Sequence, residues 1–537
     1  MPSGPSLTII NWLLSALPVV VLMATMLGLK WSAPKAGGLS FLVAIALAFW
    51  HFGGNESILA IATAKGLSLS LFVLSIVWTS VYLYNIVDRS GGINSIGQTM
   101  SRLSDDKLAQ ALLLGWGFSG FIQGITGFGV PVAVTAPLLV MVGFPLARAA
   151  AIALIGHGWA VTFGSLGSSY YSIQLVTGIP GDQIGPHMAL LFIVPTIISG
   201  FAVAHIQGGM SSVRRSIPAV LIVGSIISIS MWMLASVGAP QIASAVPGLI
   251  AVLSVGLLAR TPLLRQTQPP LHAPNESGTQ PSGSTIAKPM SFHLAFVPYY
   301  ALILLSVVSQ IGPIKETFRH LAFSMDYPGF VTETGFVVTA ATDYAIIPLL
   351  NHPAPLILIS VLLATAAYKF WGHWVAGTAK ESLALTYKQS MSTTVGVTTM
   401  VMMALVMADT GMTMLLAQGI AQSSGPFFPL VSPFIGTLGA FMTGSNTNSN
   451  VLLGLLQLET AKALGIGGVT IASIQSIGAS FGSSLAPAKV LVGAALVGLS
   501  GRENEILKLV IPYVLILVLL AGLEALFLVT FLPGWTR

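Results

Sequence analysis

Long apolar runs dominate this chain and limit what it can fold into. A helix needs about 18 to 20 apolar residues to cross a bilayer, and such runs occur at 9–29, 67–87, 188–206, 217–234, 356–368 with its flanks, and 507–532. Only 7% of the 537 residues are charged, whereas soluble domains carry about 25%. The sequence therefore predicts an all-α, polytopic membrane protein with about 12 to 14 transmembrane helices.

The basic residues lie mostly in short segments between these runs, where they orient a helix bundle. Placing the following residues in the cytoplasm puts the N-terminus outside: Lys30, Lys35, Arg89, Arg102, Lys107, Arg214, Arg215, Arg260, Arg265 and Lys288. The net charge of +6 then reflects membrane topology, so we expect membrane lipid and no nucleic acid as a partner. Without cysteine, no disulfide or thiolate metal site can form, and we expect no cofactor and no metal.

A polar segment at 260–292 divides the chain into near halves. It is rich in Pro, Ser, Gln and Gly, a composition that cannot bury a core. We therefore expect a transmembrane repeat at 1–259, a linker loop at 260–292 and a second transmembrane repeat at 293–537.

Three short motifs recur in the same order in the two halves. "SGG" (90–92), "TGFG" (126–129) and "FGSLG" (163–167) correspond to "TGM" (410–412), "TGSN" (443–446) and "FGSSL" (481–485). An acidic residue precedes the first motif in each half, at Asp88 and Asp409. The shared order and similar spacing predict an internal repeat.

Two of these motifs place glycine and small polar residues inside apolar sequence. Irregular polar backbone at membrane depth occurs where protein buries it or where it lines a cavity, and Gly-interrupted segments at matching positions indicate a transporter's binding site. We expect tips of broken helices or re-entrant hairpins, whose free N–H groups and helix N-termini suit an anion. Ordinary kinks or extramembrane turns are the alternative. The candidate substrate-binding residues are Thr126, Gly127, Gly129, Ser445, Asn446 and Thr447, flanked by His157, Gln475 and Ser476.

Three blocks resemble the L-lactate permease family of bacterial 2-hydroxymonocarboxylate carriers. They are "GFIQGITGFGVPVAVTAPLLVMVGFPLARAAAIALI" (120–155), "FPLVSPFIGTLGAFMTGSNTNSNVLLGLLQLETAKALG" (428–465) and "LAPAKVLVGAALVGLSGRENEILK" (485–508). "SNT" (445–447) is also similar to hairpin tips in the wider ion-transporter superfamily of carboxylate carriers. The resemblance implies two inverted repeats, re-entrant hairpin tips meeting near mid-membrane, a bacterial inner membrane, and proton-coupled uptake of lactate or glycolate.

The chain departs from that family's pattern at charged positions. The family has Glu at the position of Gln123, Asp at that of Asn446 and commonly Lys at that of Ser483, whereas here a lysine appears at Lys489. If these residues face the ligand, the site is more positive than in the family. A sulfonated or dicarboxylate substrate is therefore the alternative to lactate or glycolate, and the coupling proton needs another carrier.

Three ionisable residues in apolar sequence are candidates for binding or coupling. Asp409 either carries the coupling proton, since intramembrane carboxylates are functional candidates, or caps the helix that restarts at Thr410, as Asp88 would in the first half. His157 either relays a proton and binds a carboxylate, or is structural. Lys489 is either the substrate's counter-charge or extends to the interface from a helix end.

Other function classes give competing hypotheses. "GFSG" (117–120) has the form of an intramembrane serine protease motif, with Ser119 as nucleophile and His157 as base. This motif is short in a chain with 56 glycines, so we expect a carrier and not an enzyme. An anion channel is a further alternative, while sodium coupling and homo-oligomerisation stay open.

Overall fold

The computed structural model describes residues 4–127, 129–264, 290–317, 320–532 and 534. Most of the predicted linker at 260–292 lies outside these ranges, as does Phe128 of the "TGFG" motif. The predicted division into two repeats therefore stays a prediction.

The described residues form a polytopic helical membrane protein, as predicted. Ten helical stretches are long and apolar enough to cross a membrane, or up to twelve if each of two bent helix pairs is one span. Twelve is the lower end of the predicted range, because apolar segments such as Val130–Met141 and Phe292–Val308 are shorter than a full span.

The first half of the chain is helical between short breaks. Its helices are α1 (Ile9–Met23), α2 (Ala33–Trp50), α3 (Glu56–Arg89), α4 (Gly92–Ser101), α5 (Lys107–Gln110), α6 (Ser119–Ile125), α7 (Val130–Met141), α8 (Leu146–Gly156), α9 (Gly164–Thr177), α10 (Gly181–Leu191), α11 (Ile193–Ser236) and α12 (Ala245–Leu258). A π-helical stretch, Ala111–Phe118, joins α5 to α6.

The second half adds a small β region to the helices. Its helices are α13 (Phe292–Val308), α14 (Gly312–Thr317), α15 (Pro353–Phe370), α16 (Thr378–Asp409), α17 (Met412–Ser424), α18 (Phe428–Thr443), α19 (Asn446–Ala463), α20 (Gly468–Gly482), α21 (Pro487–Leu496) and α22 (Glu503–Phe531). Strand β1 (Ala322–Tyr327) pairs antiparallel with β4 (Ala341–Pro348), and β2 (Phe330–Val331) with β3 (Val337–Val338).

The strands, which the all-α prediction missed, pack on the end of α2 and on α3. Glu333 N donates to Gly53 O at 2.9 Å, and Ser68 shares a 2.7 Å hydrogen bond with the Tyr327 hydroxyl. Each strand is shorter than the ~9 residues that a membrane-crossing strand needs. The β region therefore packs on the helices and does not cross the membrane as a barrel strand would.

Helices α3 and α16 run antiparallel and pack along each other. Asn85 Nδ2 on α3 donates to Thr386 Oγ1 at 3.0 Å and to Gln389 Oε1 at 2.9 Å. Ion pairs join the two helices at both ends, Arg89 with Glu381 and Lys65 with Asp409. Each helix is followed by a glycine with φ near +80°, 81° at Gly91 and 82° at Gly411. The first pair of repeated motifs therefore has the same local geometry in both halves.

Candidate functional site

The second pair of motifs interrupts a helix in each half. Helix α6 ends at Ile125, and α7 begins after Gly129, which has φ 86°. Helix α18 ends at Thr443, followed by Gly444 with φ 74°, and the Ser445 hydroxyl caps α19 by accepting from Asn448 N at 3.4 Å. Positive φ is costly for residues with a side chain but not for glycine. Two helices, α7 and α19, thus begin inside the apolar sequence.

The third pair of motifs bends the next helices. A 52° bend separates the stretch Leu146–Ala160 from α9, and a 41° bend separates Gly468–Leu485 from α21. At the first bend, Ser165, Leu166 and Gly167 are left-handed, with φ of 48°, 54° and 83°. Left-handed backbone costs about 1–2 kcal/mol for each residue that is not glycine. This left-handed turn (165–167) is therefore strained, as backbone at functional sites often is.

The start of α9 contacts both helix breaks. An ideal Cβ on Gly127 would lie 2.0 Å from Ser165 Oγ. On the other side, Thr447 Oγ1 lies 2.9 Å from Ser169 Oγ and 3.5 Å from Ser168 Oγ. The structure thus brings the two predicted tips to one segment of α9.

A buried polar network connects α19 and α20 to α9 and the residues before it. Asn446 Nδ2 donates to Thr162 Oγ1 at 2.9 Å and to the Ser476 carbonyl at 3.2 Å. Asn450 Nδ2 donates to the Ser169 carbonyl and to Ser476 Oγ, both at 2.9 Å. Sequence reasoning missed Thr162, Ser169 and Asn450. Asn450 ends the polar run "TGSNTNSN" (443–450), which continues the "TGSN" motif, and could have been recognised from it.

Gln475 belongs to a neighbouring set of contacts within the second half. Its Nε2 donates to Ser449 Oγ at 3.1 Å, and its Oε1 accepts from Gln457 Nε2 at 2.8 Å. Gln475 therefore ties α20 to α19, whereas the adjacent Ser476 reaches the network around Asn446.

Lys489 is a buried cation without a carboxylate partner among the residues that the structure describes. Its side chain is enclosed by protein and donates from Nζ to Ser483 Oγ at 2.9 Å. It therefore does not extend to the interface. Ser483 donates to the Ser480 carbonyl at 2.8 Å, and Ser480 Oγ accepts from Thr162 at 3.2 Å. Hydrogen bonds through Ser483 and Ser480 thus connect Lys489 to the network around Asn446.

His157 is fully buried at the end of α8. Its Nδ1 lies 2.7 Å from the Ala153 carbonyl, while Nε2 has no hydrogen-bond partner in the described part of the chain. The Ser119 hydroxyl donates to Gly115 O, so the pair that a serine protease requires is not formed.

Asp409 pairs with a residue that sequence reasoning missed. Its Oδ2 lies 3.0 Å from Lys65 Nζ, and both side chains are buried, with 10% and 5% of their area exposed. The capping interpretation is wrong, because Gly91 and Gly411 occupy the N-cap positions of α4 and α17, and neither helix has a side-chain cap. The sequence signal that could have identified this partner is Lys65 itself, a charged residue within the apolar run of α3.

Two cavities are lined by residues that contact the left-handed turn. The first, of about 170 Å³, is lined by Val81, Tyr84, Thr126, Gly127, Val130 and Gln389. The second, of about 350 Å³, includes Tyr170, Tyr171, Gln174, Asp182 and Gln310 in its lining. Gly127 touches Ser165 at one end of the turn, and Gly167 packs against Tyr171 at the other. In the described residues, no group of three or more His, Cys, Asp or Glu could hold a metal ion.

Comparison with known proteins identifies the family. The L-lactate permease family model matches residues 11–532. The glycolate permease of Escherichia coli K12 is 25% identical over 95% of this chain and 94% of its own length. For the L-lactate permease of Salmonella typhimurium, the identity is 26% over 95% of this chain and 94% of the relative. The YdaH transporter of Alcanivorax borkumensis has a TM-score of 0.47 and 13% identity, covering 98% of this chain and 100% of that chain. Because the family match spans nearly the whole sequence, the chain belongs to the L-lactate permease family.

Proposed function

We propose that this protein is a secondary carrier of small 2-hydroxymonocarboxylates such as lactate and glycolate, driven by protons. The observation that carries the proposal is the buried polar network at the two helix breaks, where Asn446 and Thr447 meet the start of α9. Relatives named for lactate and glycolate transport support this substrate class. The carrier would lie in a bacterial inner membrane with its N-terminus outside, built from two inverted repeats.

Charge supports an anionic ligand. Lys489 adds a buried positive charge that no described carboxylate neutralises, and a buried charge without a partner is costly. An anion bound nearby offsets that cost. The helix N-termini at α7 and α19 add partial positive charge. Gly127 and Gly129 let backbone N–H groups approach a carboxylate, because they have no side chain.

His157 is the stronger candidate for carrying the coupling proton. Asp409 already has its charge matched by Lys65, whereas His157 Nε2 has no partner in the described chain. An imidazole nitrogen without a partner can take up and release a proton, which suits a residue that must do both in each cycle. Sodium coupling would instead appear as uptake that follows a sodium gradient.

A more anionic substrate is the second candidate. Gln123 and Asn446 are neutral, and Lys489 is positive, so the net charge around the site favours a dicarboxylate or a sulfonated relative. This candidate has the same architecture and differs only in the charge of the ligand.

Two assays on the purified protein, one in detergent and one in liposomes, test the proposal. In detergent, a thermal-shift screen against about 50 small carboxylates and sulfonates identifies ligands, because a bound ligand raises the unfolding midpoint by mass action. Uptake of labelled lactate driven by an inward proton gradient, with exchange against unlabelled lactate, then establishes coupled carrier transport. Stabilisation only by dianions supports the second candidate. Currents larger than carrier turnover indicate a channel, and lack of both binding and uptake of all these anions contradicts the proposal.

A further inference from the structure

One corner of the site carries polar groups that have no partner in the protein. Gln123 is buried at the end of α6, with 2% of its surface exposed, and its Oε1 has no hydrogen-bond partner among the described residues. Its amide lies against Gly164, where an ideal Cβ would come within 2.8 Å of Nε2. A buried amide oxygen without a donor is costly, so a ligand that supplies a donor there would be favoured.

The left-handed turn brings a serine hydroxyl near the Gln123 amide. An ideal Cβ on Gly127 would lie 2.0 Å from Ser165 Oγ and 3.9 Å from Gln123 Nε2. Ser168 and Ser169 use their hydroxyls on Thr447, and Ser172 donates to the Ser169 carbonyl at 2.7 Å. Ser165 Oγ, in contrast, has no hydrogen-bond partner in the described chain.

The geometry gives a reason for the strained backbone. Residues held at positive φ persist where their surroundings require them, and such residues concentrate at binding sites. Here the strain falls on Ser165 and Leu166, while Gly167 adopts its φ freely. The turn places Ser165 beside Gly127, which lines the cavity of about 170 Å³.

The two unpartnered groups match an alcohol better than a carboxylate. An ionised carboxylate only accepts hydrogen bonds, whereas an alcohol donates one and accepts others. In the orientation that the structure gives the amide, Gln123 Oε1 needs a donor, which a carboxylate cannot supply. An alcohol has both functions: its O–H can donate to an amide oxygen such as Gln123 Oε1, and its oxygen can accept from a hydroxyl such as that of Ser165.

We propose that Gln123 and Ser165 recognise the 2-hydroxyl group of the substrate. This assignment rests on the proposed function and adds to it the feature by which the carrier selects 2-hydroxy acids over plain monocarboxylates. A site that hydrogen-bonds a substrate hydroxyl rejects the analogue without it, because its own buried groups are then left unpaired.

Competition by a matched pair of acids tests this assignment. Lactate and propionate share charge and carbon skeleton, and only lactate has the hydroxyl. In liposomes containing the full-length protein, each acid competes with uptake of labelled lactate. We expect wild type to prefer lactate, and Ser165→Ala and Ser165→Gly to lower that preference about tenfold, the upper range for a net hydrogen bond. Ser165→Gly accepts positive φ without strain, so misfolding cannot explain its effect.

Ser172→Ala is the matched control. Ser172 lies on the same helix and donates its hydroxyl within that helix, so we expect the lactate preference to persist. If Ser165→Gly keeps the wild-type preference, or if wild type takes up lactate without preferring it to propionate, the assignment is wrong while the proposed function stands. If wild type neither binds nor transports any 2-hydroxy acid, the proposed function fails and this assignment fails with it.

Discussion

Lys65 Nζ lies 3.0 Å from Asp409 Oδ2 in the protein interior, and this pair joins α3 to α16. Removing one member leaves the other charge buried and unpaired, which costs about 3–5 kcal/mol. We therefore expect Asp409→Asn and Lys65→Met each to lower the unfolding midpoint in detergent strongly. The double variant Lys65→Met with Asp409→Asn should lose less than the sum of the two singles, as a double-mutant cycle would show.

The second ion pair between the same helices is the control. Arg89 and Glu381 are 39% and 57% exposed, so Glu381→Gln should cost less than about 1 kcal/mol. If Asp409→Asn costs no more than Glu381→Gln, burial does not govern the strength of these pairs.

Gly127→Val should abolish uptake without loss of membrane insertion. The new side chain would meet Ser165 Oγ, which lies 2.0 Å from the ideal Cβ position, and would push apart α9 and the break after α6. Labelled-lactate uptake and the membrane level of a fluorescent fusion measure the two effects. Gly38→Val in α2 is the control, because nothing lies within 4 Å of its Cβ position. Normal uptake by Gly127→Val would show that the helix break after α6 is not part of the binding site.

Asn446→Leu should also abolish uptake. The leucine cannot donate to Thr162 Oγ1 and the Ser476 carbonyl, which accept from Asn446 at 2.9 and 3.2 Å, and it leaves buried polar atoms unpaired. Uptake is compared with Asn94→Leu, an exposed position on α4. Transport near the wild-type rate would show that the network is structural only.

The carrier's preference between dianions and monoanions should change with three substitutions at the candidate site. Gln123→Glu and Asn446→Asp add negative charge, and Lys489→Gln removes a buried positive charge, so each should weaken a dianion more than a monoanion. The measurement is competition by malonate against lactate in cells that express each variant. An unchanged ratio in all three would mean that these positions do not set substrate charge.

His157→Asn should separate exchange from accumulation. Asparagine can replace the contact to the Ala153 carbonyl, 2.7 Å from Nδ1, but cannot carry a proton. We expect lactate exchange to continue while accumulation driven by a pH gradient is lost. His205→Asn is the control, since His205 is exposed on α11 and contacts Tyr513. Intact pH-driven accumulation in His157→Asn would assign the proton to another group.

Sequence reasoning predicted the membrane class and the helix breaks better than the contacts between them. Apolar runs and embedded glycines are local signals, and they located the interruptions at Gly129 and Gly444. Thr162 and Ser169 gave no signal, because serine and threonine in helices commonly bond to their own backbone. The left-handed conformation of Ser165 also depends on tertiary packing, with Gly167 as the only local cue.

Asp409 shows where local reasoning fails. The matching position of Asp88 favoured a helix cap, but a capping pattern does not reveal a cation from another helix. Lys65 lies 344 positions away in the chain, so only the packing of α3 against α16 could identify the pair.

The hydrogen bond between Asn446 and Thr162 also affects how the protein is made. The two residues are 284 positions apart, and a ribosome adds roughly 5–20 residues per second, so Thr162 waits roughly 15 to 60 s for its partner. During that interval the first half lies in the bilayer with polar groups that α19 and α20 have yet to cover, which is costly in hydrocarbon. We therefore expect the second half to dock late, and the polar groups of the first half to stay uncovered until α19 and α20 arrive.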